Sequence, residues 1–232
     1  MNTVSFLAIP ASIVPEQEAL VFEQQRFPYA EVEARVRRLA GALARLGVGR
    51  GTRVAALHTN SHRYVEAYYA TALLGGVFIP VNYRAKQHEL EHMLRAGEAS
   101  VLLVGERYVP AIAALRAGLP ALRTLIGFDA SSDDLLAYET LLAGAEPLEA
   151  EADVDDEDTT ILMFTSGTTS LPKGVMLTYG DFSAYVTANV ELADGTPRDA
   201  ALLCAPLYHI AGATNMMTTL WTGRRLVVMP QF

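Results

Sequence analysis

The chain has 232 residues, 51% of them hydrophobic, and a formal net charge of −8. This length and apolar content are enough for the core of one large domain or two small ones. Eight acidic residues and no Lys or Arg lie between positions 146 and 158, which leaves 18 acidic against 18 basic residues elsewhere. The acidity therefore belongs to one solvated segment, which we expect to be a linker, and it gives no support to a nucleic-acid partner.

Cysteine usage and hydropathy bear on the compartment. A single cysteine, Cys204, cannot form an internal disulfide, which fits a reducing compartment. The N-terminus has no basic region ahead of its short apolar run, so no signal peptide is expected. The longest near-apolar run, residues 67–81, is interrupted by glycines and a proline and is shorter than the ~20 residues of a membrane span. We expect a cytoplasmic protein without a transmembrane segment.

In the first half of the chain, helical and strand patterns alternate. Apolar side chains recur at steps of three and four between residues 29 and 46, which predicts a helix that ends at Gly47 and Gly49. Further patterns predict strands at 53–58, 77–81, 100–105 and 123–128, and helices at 61–74, 86–96, 107–118 and 133–143.

The second half continues in the same way after the acidic segment. We expect strands at 159–164, 174–178, 201–205 and 225–229, with helices from about Asp181 and after His209. This alternation predicts an α/β fold with a mainly parallel sheet and helices on both faces. The strand near 226–229 has no following segment to cover it, so we expect an exposed sheet edge through which the chain dimerises.

The loop between strands 159–164 and 174–178 is rich in small donors. It contains Thr165, Ser166, Gly167, Thr168, Thr169, Ser170 and Lys173. A loop that follows a parallel strand emerges at the carboxyl edge of the sheet, where open sheets bind ligands. Hydroxyl groups, a cation and glycine-exposed backbone N–H groups suit a polyphosphate. The alternative is a flexible Ser/Thr/Gly turn without a ligand.

Three stretches of sequence resemble one known family. TSGTTSLPKG (165–174) is similar to the phosphate loop of the adenylate-forming superfamily, which includes acyl-CoA synthetases. The common nucleotide P-loop pattern, G-x-x-x-x-G-K-[ST], has no match in this chain. Residues 27–82 resemble the opening of acyl-CoA synthetases, and APLYHIAG (205–212) resembles the next family motif. The family usually has glycine at the position of Ser170. If the family's loop requires a positive φ there, serine in place of glycine would alter the conformation of the loop or its flexibility.

The resemblance implies a reaction and a set of site residues. The loop from Thr165 to Lys173 would bind the β- and γ-phosphates of ATP, with Mg²⁺, while a carboxylic acid attacks the α-phosphorus. An acyl-adenylate would form, and coenzyme A or another thiol would then take the acyl group. His209 would line the acyl pocket or thiol channel, although its alternative role is to cap the following helix.

The resemblance covers only the first part of such enzymes. The later adenine, ribose and metal-linked motifs and the C-terminal domain have no counterpart in these 232 residues. We expect an incomplete N-terminal adenylation domain, with one α/β subdomain at 53–185 and part of a second at 1–52 and 186–232. This chain alone would be inactive, or it would be a noncatalytic nucleotide-binding or assembly module.

One further motif is typical of a different class of enzyme. Residues 88–92 read HELEH, which matches the H-E-x-x-H pattern of zinc hydrolases. At helical spacing, Leu90, Met93 and Leu94 lie opposite His88 and His92, so we expect both histidines to face solvent. Catalytic zinc needs a third protein ligand, which the sequence does not provide nearby. We therefore interpret the motif as a coincidence and zinc hydrolysis as a remote alternative.

Overall fold

The computed structural model describes residues 1–132, 134–165 and 171–231. Its helices are α1 (Ser5–Ile13), α2 (Tyr29–Arg45), α3 (His62–Leu73), α4 (Gln87–Ala96), α5 (Val109–Leu115), α6 (Tyr138–Ala143), α7 (Tyr179–Asn189) and α8 (Ile210–Trp221). Its strands are β1 (Glu18–Phe22), β2 (Gln25–Pro28), β3 (Arg53–Leu57), β4 (Val77–Pro80), β5 (Val101–Val104), β6 (Thr124–Gly127), β7 (Leu136–Ala137), β8 (Thr159–Thr165), β9 (Lys173–Thr178), β10 (Ala201–Leu203) and β11 (Leu226–Val228).

The larger sheet has the order β7-β6-β5-β3-β4-β8-β9 in the described part of the chain. Its pairs are parallel except β8 with β9, which are antiparallel. Val54 and Ala56 pack into one hydrophobic cluster with residues of α2 and α3, whereas Ala55 and Leu57 pack into a second with residues of α4 and α5. Because successive strand residues face opposite sides, helices cover both faces. The predicted α/β fold is confirmed.

The smaller sheet joins both ends of the chain in the order β10-β11-β1-β2. Leu226 of β11 is paired with Leu20 on one side and with Ala201 on the other. The expectation of an exposed edge at 226–229 is therefore wrong, because β1, which the sequence reading did not recognise, supplies the second neighbour. The subdomain boundaries at 53–185, 1–52 and 186–232 stay a prediction.

Two predicted helices differ in detail. The expected helix at 107–118 is a short α-helix, α5, flanked by 3-10 turns at Glu106–Tyr108 and Arg116–Gly118. Pro110 stands in the first turn of α5, where its missing N–H costs no hydrogen bond. The expected helix at 133–143 is only α6, because Leu136 and Ala137 instead pair with β6.

The acidic segment contains no helix or strand, as expected of a linker, but the folded chain holds it in place. Its backbone donates from Leu148 N to the Arg37 carbonyl oxygen (2.9 Å) and from Ala152 N to the Leu73 carbonyl oxygen (2.8 Å). Arg50 forms ion pairs with Asp155 (2.6 Å) and with Asp158. The segment is thus a strap across α2 and the end of α3 that leads the chain into β8.

In the described part of the chain, no helix combines enough residues with enough apolar character to cross a membrane.

Candidate functional site

The donor-rich loop leaves the larger sheet at its carboxyl edge. Because β8 is parallel to β4, its last residue, Thr165, lies at the same edge as the carboxyl ends of β3, β4 and β5. Thr165 is paired with Lys173, the first residue of β9, and both side chains are exposed. The predicted position of the loop is confirmed for these two residues. The other proposed phosphate ligands, Ser166, Gly167, Thr168, Thr169 and Ser170, lie outside the described residues.

A second segment approaches the same edge from the smaller sheet. Asn60, buried just ahead of α3, donates from Nδ2 to the Ala205 carbonyl oxygen (3.0 Å). Its Oδ1 accepts from the backbone N–H of Leu207 (2.8 Å). These two bonds hold the segment 205–209 beside the larger sheet. The sequence reading did not single out Asn60, since an amide before a helix is an ordinary turn residue and its partners are 145 and 147 positions away.

His209 begins α8. Its Nδ1 accepts from the backbone N–H of Ala211 (3.3 Å), so the neutral ring carries its proton on Nε2. The turn before the helix is tight, because a Cβ at Gly212 would lie 2.2 Å from the Pro206 carbonyl oxygen. The helix-capping role weighed for this histidine is therefore present.

The same histidine also lines a cavity of about 350 Å³. Thr165 at the start of the loop, Asn82 after β4, and Tyr208 are further polar residues of its wall. Apolar side chains make up the rest of the lining: Met163, Phe164, Val175, Leu177 and Ile210. A largely apolar space with a few polar groups in its wall suits a small organic acid. Lys173 does not line this cavity.

Tyr208 contributes a neutral hydroxyl to the wall of the cavity. Burial raises the pKa of Tyr208 above its usual value. Its ring meets that of Tyr83, which follows β4, edge to face at 5.3 Å between centroids. The two tyrosines therefore connect the end of β4 to the segment ahead of α8, and Tyr208 keeps its proton at neutral pH.

The HELEH helix, α4, agrees with the expectation except at His92. Leu90, Met93 and Leu94 are buried and His88 is exposed, as predicted. His92 does not face solvent: it is half-buried, and its Nε2 lies 2.9 Å from the Pro172 carbonyl oxygen at the end of the donor-rich loop. Within residues 1–132, 134–165 and 171–231, no three His, Cys, Asp or Glu side chains form a group that could hold a metal ion.

Comparison with known proteins bears on the whole chain. A family model described as AMP-binding enzyme matches residues 10–232. The chain belongs to this family. The donor-rich loop and the segment 205–212 both lie within the residues that match this family of AMP-binding enzymes.

Individual proteins similar in sequence to this AMP-binding enzyme support the family assignment. Over 224 residues it is 33% identical to the indoleacetate–CoA ligase of Aromatoleum aromaticum and 32% identical to the long-chain-fatty-acid–CoA ligase FadD13 of Mycobacterium tuberculosis. Each match covers 96% of this chain and 44% of the ligase. This AMP-binding enzyme chain therefore spans less than half the length of these relatives.

A solved structure shows the same fold. The inhibitor-bound N-terminal domain of FACL13 from Mycobacterium tuberculosis superposes with a TM-score of 0.89 at 30% identity, covering 100% of this chain and 57% of that one. The predicted resemblance to the N-terminal portion of adenylate-forming enzymes is confirmed. The roles of individual site residues in this AMP-binding enzyme stay predictions.

Proposed function

We propose that the protein carrying this chain is an ATP-dependent acid–thiol ligase. It activates a carboxylic acid as an acyl-adenylate and passes the acyl group to coenzyme A or another thiol. The observation that carries this proposal is the cavity at the carboxyl edge, where Thr165 of the loop and His209 line one largely apolar space. Membership of the AMP-binding family and two relatives named as CoA ligases support it.

The proposed first step places charge at the loop. A carboxylate oxygen attacks the α-phosphorus of ATP, and the bond from that phosphorus to pyrophosphate breaks. Lys173 and the hydroxyl and N–H groups of residues 165–170 offset the negative charge on the departing pyrophosphate. In the second step a thiol sulfur attacks the acyl carbon and AMP leaves. His209 lines the acyl pocket or the thiol channel in this scheme.

Mg²⁺ is the expected companion of the ATP phosphates. The described residues contain no group of three His, Cys, Asp or Glu side chains arranged to hold an ion. We therefore assign no residue of this chain to the metal. The chain's own contribution is to bind the phosphates, to exclude water from the acyl end, and to supply the cation of Lys173.

The test is carboxylate-dependent ATP–pyrophosphate exchange by the full encoded protein, with a panel of fatty and aryl acids. Lys173→Ala should lower the exchange rate roughly 100-fold or more, because one fewer charge stabilises the leaving group. Lys86→Ala is the matched control: it removes an exposed lysine ahead of α4 and should leave the rate near wild type.

Other outcomes would separate the candidate functions. Exchange unchanged by Lys173→Ala would remove this residue from the proposed role. Nucleotide binding without exchange for any acid would favour the noncatalytic module instead. Exchange by residues 1–232 alone would contradict the expectation that this part is inactive by itself.

A further inference from the structure

The HELEH helix meets both ends of the donor-rich loop through one side chain. The ring of His92 lies edge to face against Phe164 of β8, at 6.3 Å between centroids and an angle of 79°. Its Nε2 lies 2.9 Å from the Pro172 carbonyl oxygen. Phe164 immediately precedes the loop and Pro172 ends it, so His92 contacts the chain on both sides of residues 165–171.

The packing of α4 fixes the position of this ring. Leu90, Met93 and Leu94 are buried against the larger sheet, and the helix ends at Gly97, where a Cβ would lie 2.7 Å from Ile79 Cδ1. The backbone at His92 is therefore held firmly beside the carboxyl edge. This anchoring gives the histidine a fixed reach toward the loop.

The direction of the hydrogen bond follows from its partner. A carbonyl oxygen only accepts, so Nε2 of His92 carries the proton and donates it. Pro172 is buried and precedes the last paired residues of the β8–β9 ladder, Thr165 and Lys173. Its carbonyl oxygen thus lies outside the ladder and receives its hydrogen bond from α4.

The bond also acts on the next residue. The peptide unit that contains the Pro172 carbonyl is planar and includes the N–H of Lys173. Fixing that carbonyl fixes the plane in which the chain enters β9 and the starting direction of the Lys173 side chain. The proline ring restricts φ on the other side of the same residue.

We infer that His92 is a positioning residue of the donor-rich loop: it holds the Pro172–Lys173 peptide so that the loop end and Lys173 meet the polyphosphate in a fixed arrangement. This inference rests on the proposed function of the loop. It gives the second histidine of the HELEH motif a role in phosphate binding without a metal ion.

Three variants separate donation from packing. His92→Phe keeps a ring against Phe164 but removes the donor. His92→Gln keeps a donor at about the same reach and removes the ring. His88→Phe, one turn earlier on the exposed face of α4, is the matched control.

The first readout is hydrogen exchange of the backbone amides at 173–176 in the ligand-free protein. His92→Phe should speed exchange there roughly fivefold to tenfold, because the loop end loses one hydrogen bond. His92→Gln should restore slow exchange, and His88→Phe should match wild type. Fast exchange in the Gln variant, or wild-type exchange in the Phe variant, would overturn the inference.

The second readout is the steady-state kinetics of the full encoded protein. His92→Phe should raise the KM for ATP roughly fivefold to tenfold and leave the KM for the acid near wild type, with the Gln variant restoring the KM for ATP. If the amides at 173–176 exchange faster in His92→Phe but the KM for ATP is unchanged, the positioning role is overturned. Failure of the ligase proposal is distinguishable from failure of this inference. The ligase proposal is tested by ATP–pyrophosphate exchange in Lys173→Ala, whereas the hydrogen-exchange measurement on the His92 variants needs no nucleotide.

Discussion

At the scale of single residues, His62 is a buried titratable group that the structure keeps uncharged. It is the first residue of α3 and is only 2% exposed. Its ring stacks on Phe27 at 4.8 Å between centroids and contacts Phe22. Burial, with smaller contributions from Arg63 and Arg35 against an opposing one from Glu139, lowers the pKa of His62 from 6.5 to about 3. The folded protein therefore holds this histidine neutral.

This gives a pH dependence of stability with a definite sign. Above its ordinary pKa of 6.5, His62 is neutral in the folded and unfolded chains, and its contribution is fully present. As the pH falls from 6.5 toward 3, the unfolded chain binds a proton that the folded chain does not. We expect this residue to lower the free energy of unfolding by about 1 kcal/mol per pH unit below pH 6.

Urea denaturation at pH 7, 6 and 5 measures the effect. His62→Phe keeps an aromatic ring against Phe27 and cannot take up a proton, so its stability should fall less steeply with acid than that of wild type. His88→Gln, at an exposed position, should retain the wild-type slope. An identical slope in His62→Phe would show that other groups cause the acid sensitivity.

At the scale of elements, the acidic strap depends on a glycine in α2. A Cβ at Gly41 would lie 2.0 Å from the Glu146 carbonyl oxygen. The strap can lie this close to the helix only because Gly41 has no side chain. The same approach allows the hydrogen bond from Leu148 N to the Arg37 carbonyl oxygen.

Gly41→Ala therefore sets helix propensity against packing. Alanine alone would stabilise the middle of a helix by about 1 kcal/mol relative to glycine. We expect the clash with the strap to outweigh this gain and to destabilise the fold by roughly 1–3 kcal/mol in urea denaturation. Gly49→Ala, where a Cβ would meet no atom within 4 Å, should stay within about 0.5 kcal/mol of wild type. A stabilised Gly41→Ala variant would contradict the close approach.

At the scale of the whole molecule, the two sheets meet at the candidate site. Asn60 joins the segment 205–207 to the start of α3, and the backbone N–H of Asn60 donates to the Pro230 carbonyl oxygen (3.2 Å). Side chains from the edge of one sheet and from the loops of the other thereby form one cavity. The site is a property of this junction and of neither sheet alone.

The edge expected at 226–229 is paired on both sides, whereas β9 is an edge strand of the larger sheet in the described part of the chain. Two of its neighbouring apolar side chains are exposed, Val175 at 41% and Met176 at 70%. Such an edge favours pairing with a second chain. Sedimentation velocity should show self-association that increases with concentration.

Met176→Lys should weaken this association roughly tenfold, because a charge replaces an apolar side chain that pairing would bury. Ile13→Lys adds the same charge at an exposed position on α1, away from this edge, and should leave association unchanged. A monomer at every concentration would contradict edge pairing.

Part of the site could be predicted because it is local in sequence. The donors from Thr165 to Lys173 follow a recognisable strand, and His209 directly precedes a recognisable helix. Asn60 and His92 were missed as site-forming residues. Their hydrogen-bond partners lie 80 positions or more away, and no local periodicity carries that information.

The sequence by itself determined most of the helices and strands from residue 29 onward, their α/β order, the loop at the carboxyl edge and the family, since each depends on spacing or motifs within short segments. Only the tertiary structure decided that β1 lies beside β11, that the acidic segment is held against α2, and that His92 reaches Pro172. The physical reason is that periodicity tells which residues share a face. Which distant segment covers that face depends on packing across the whole chain.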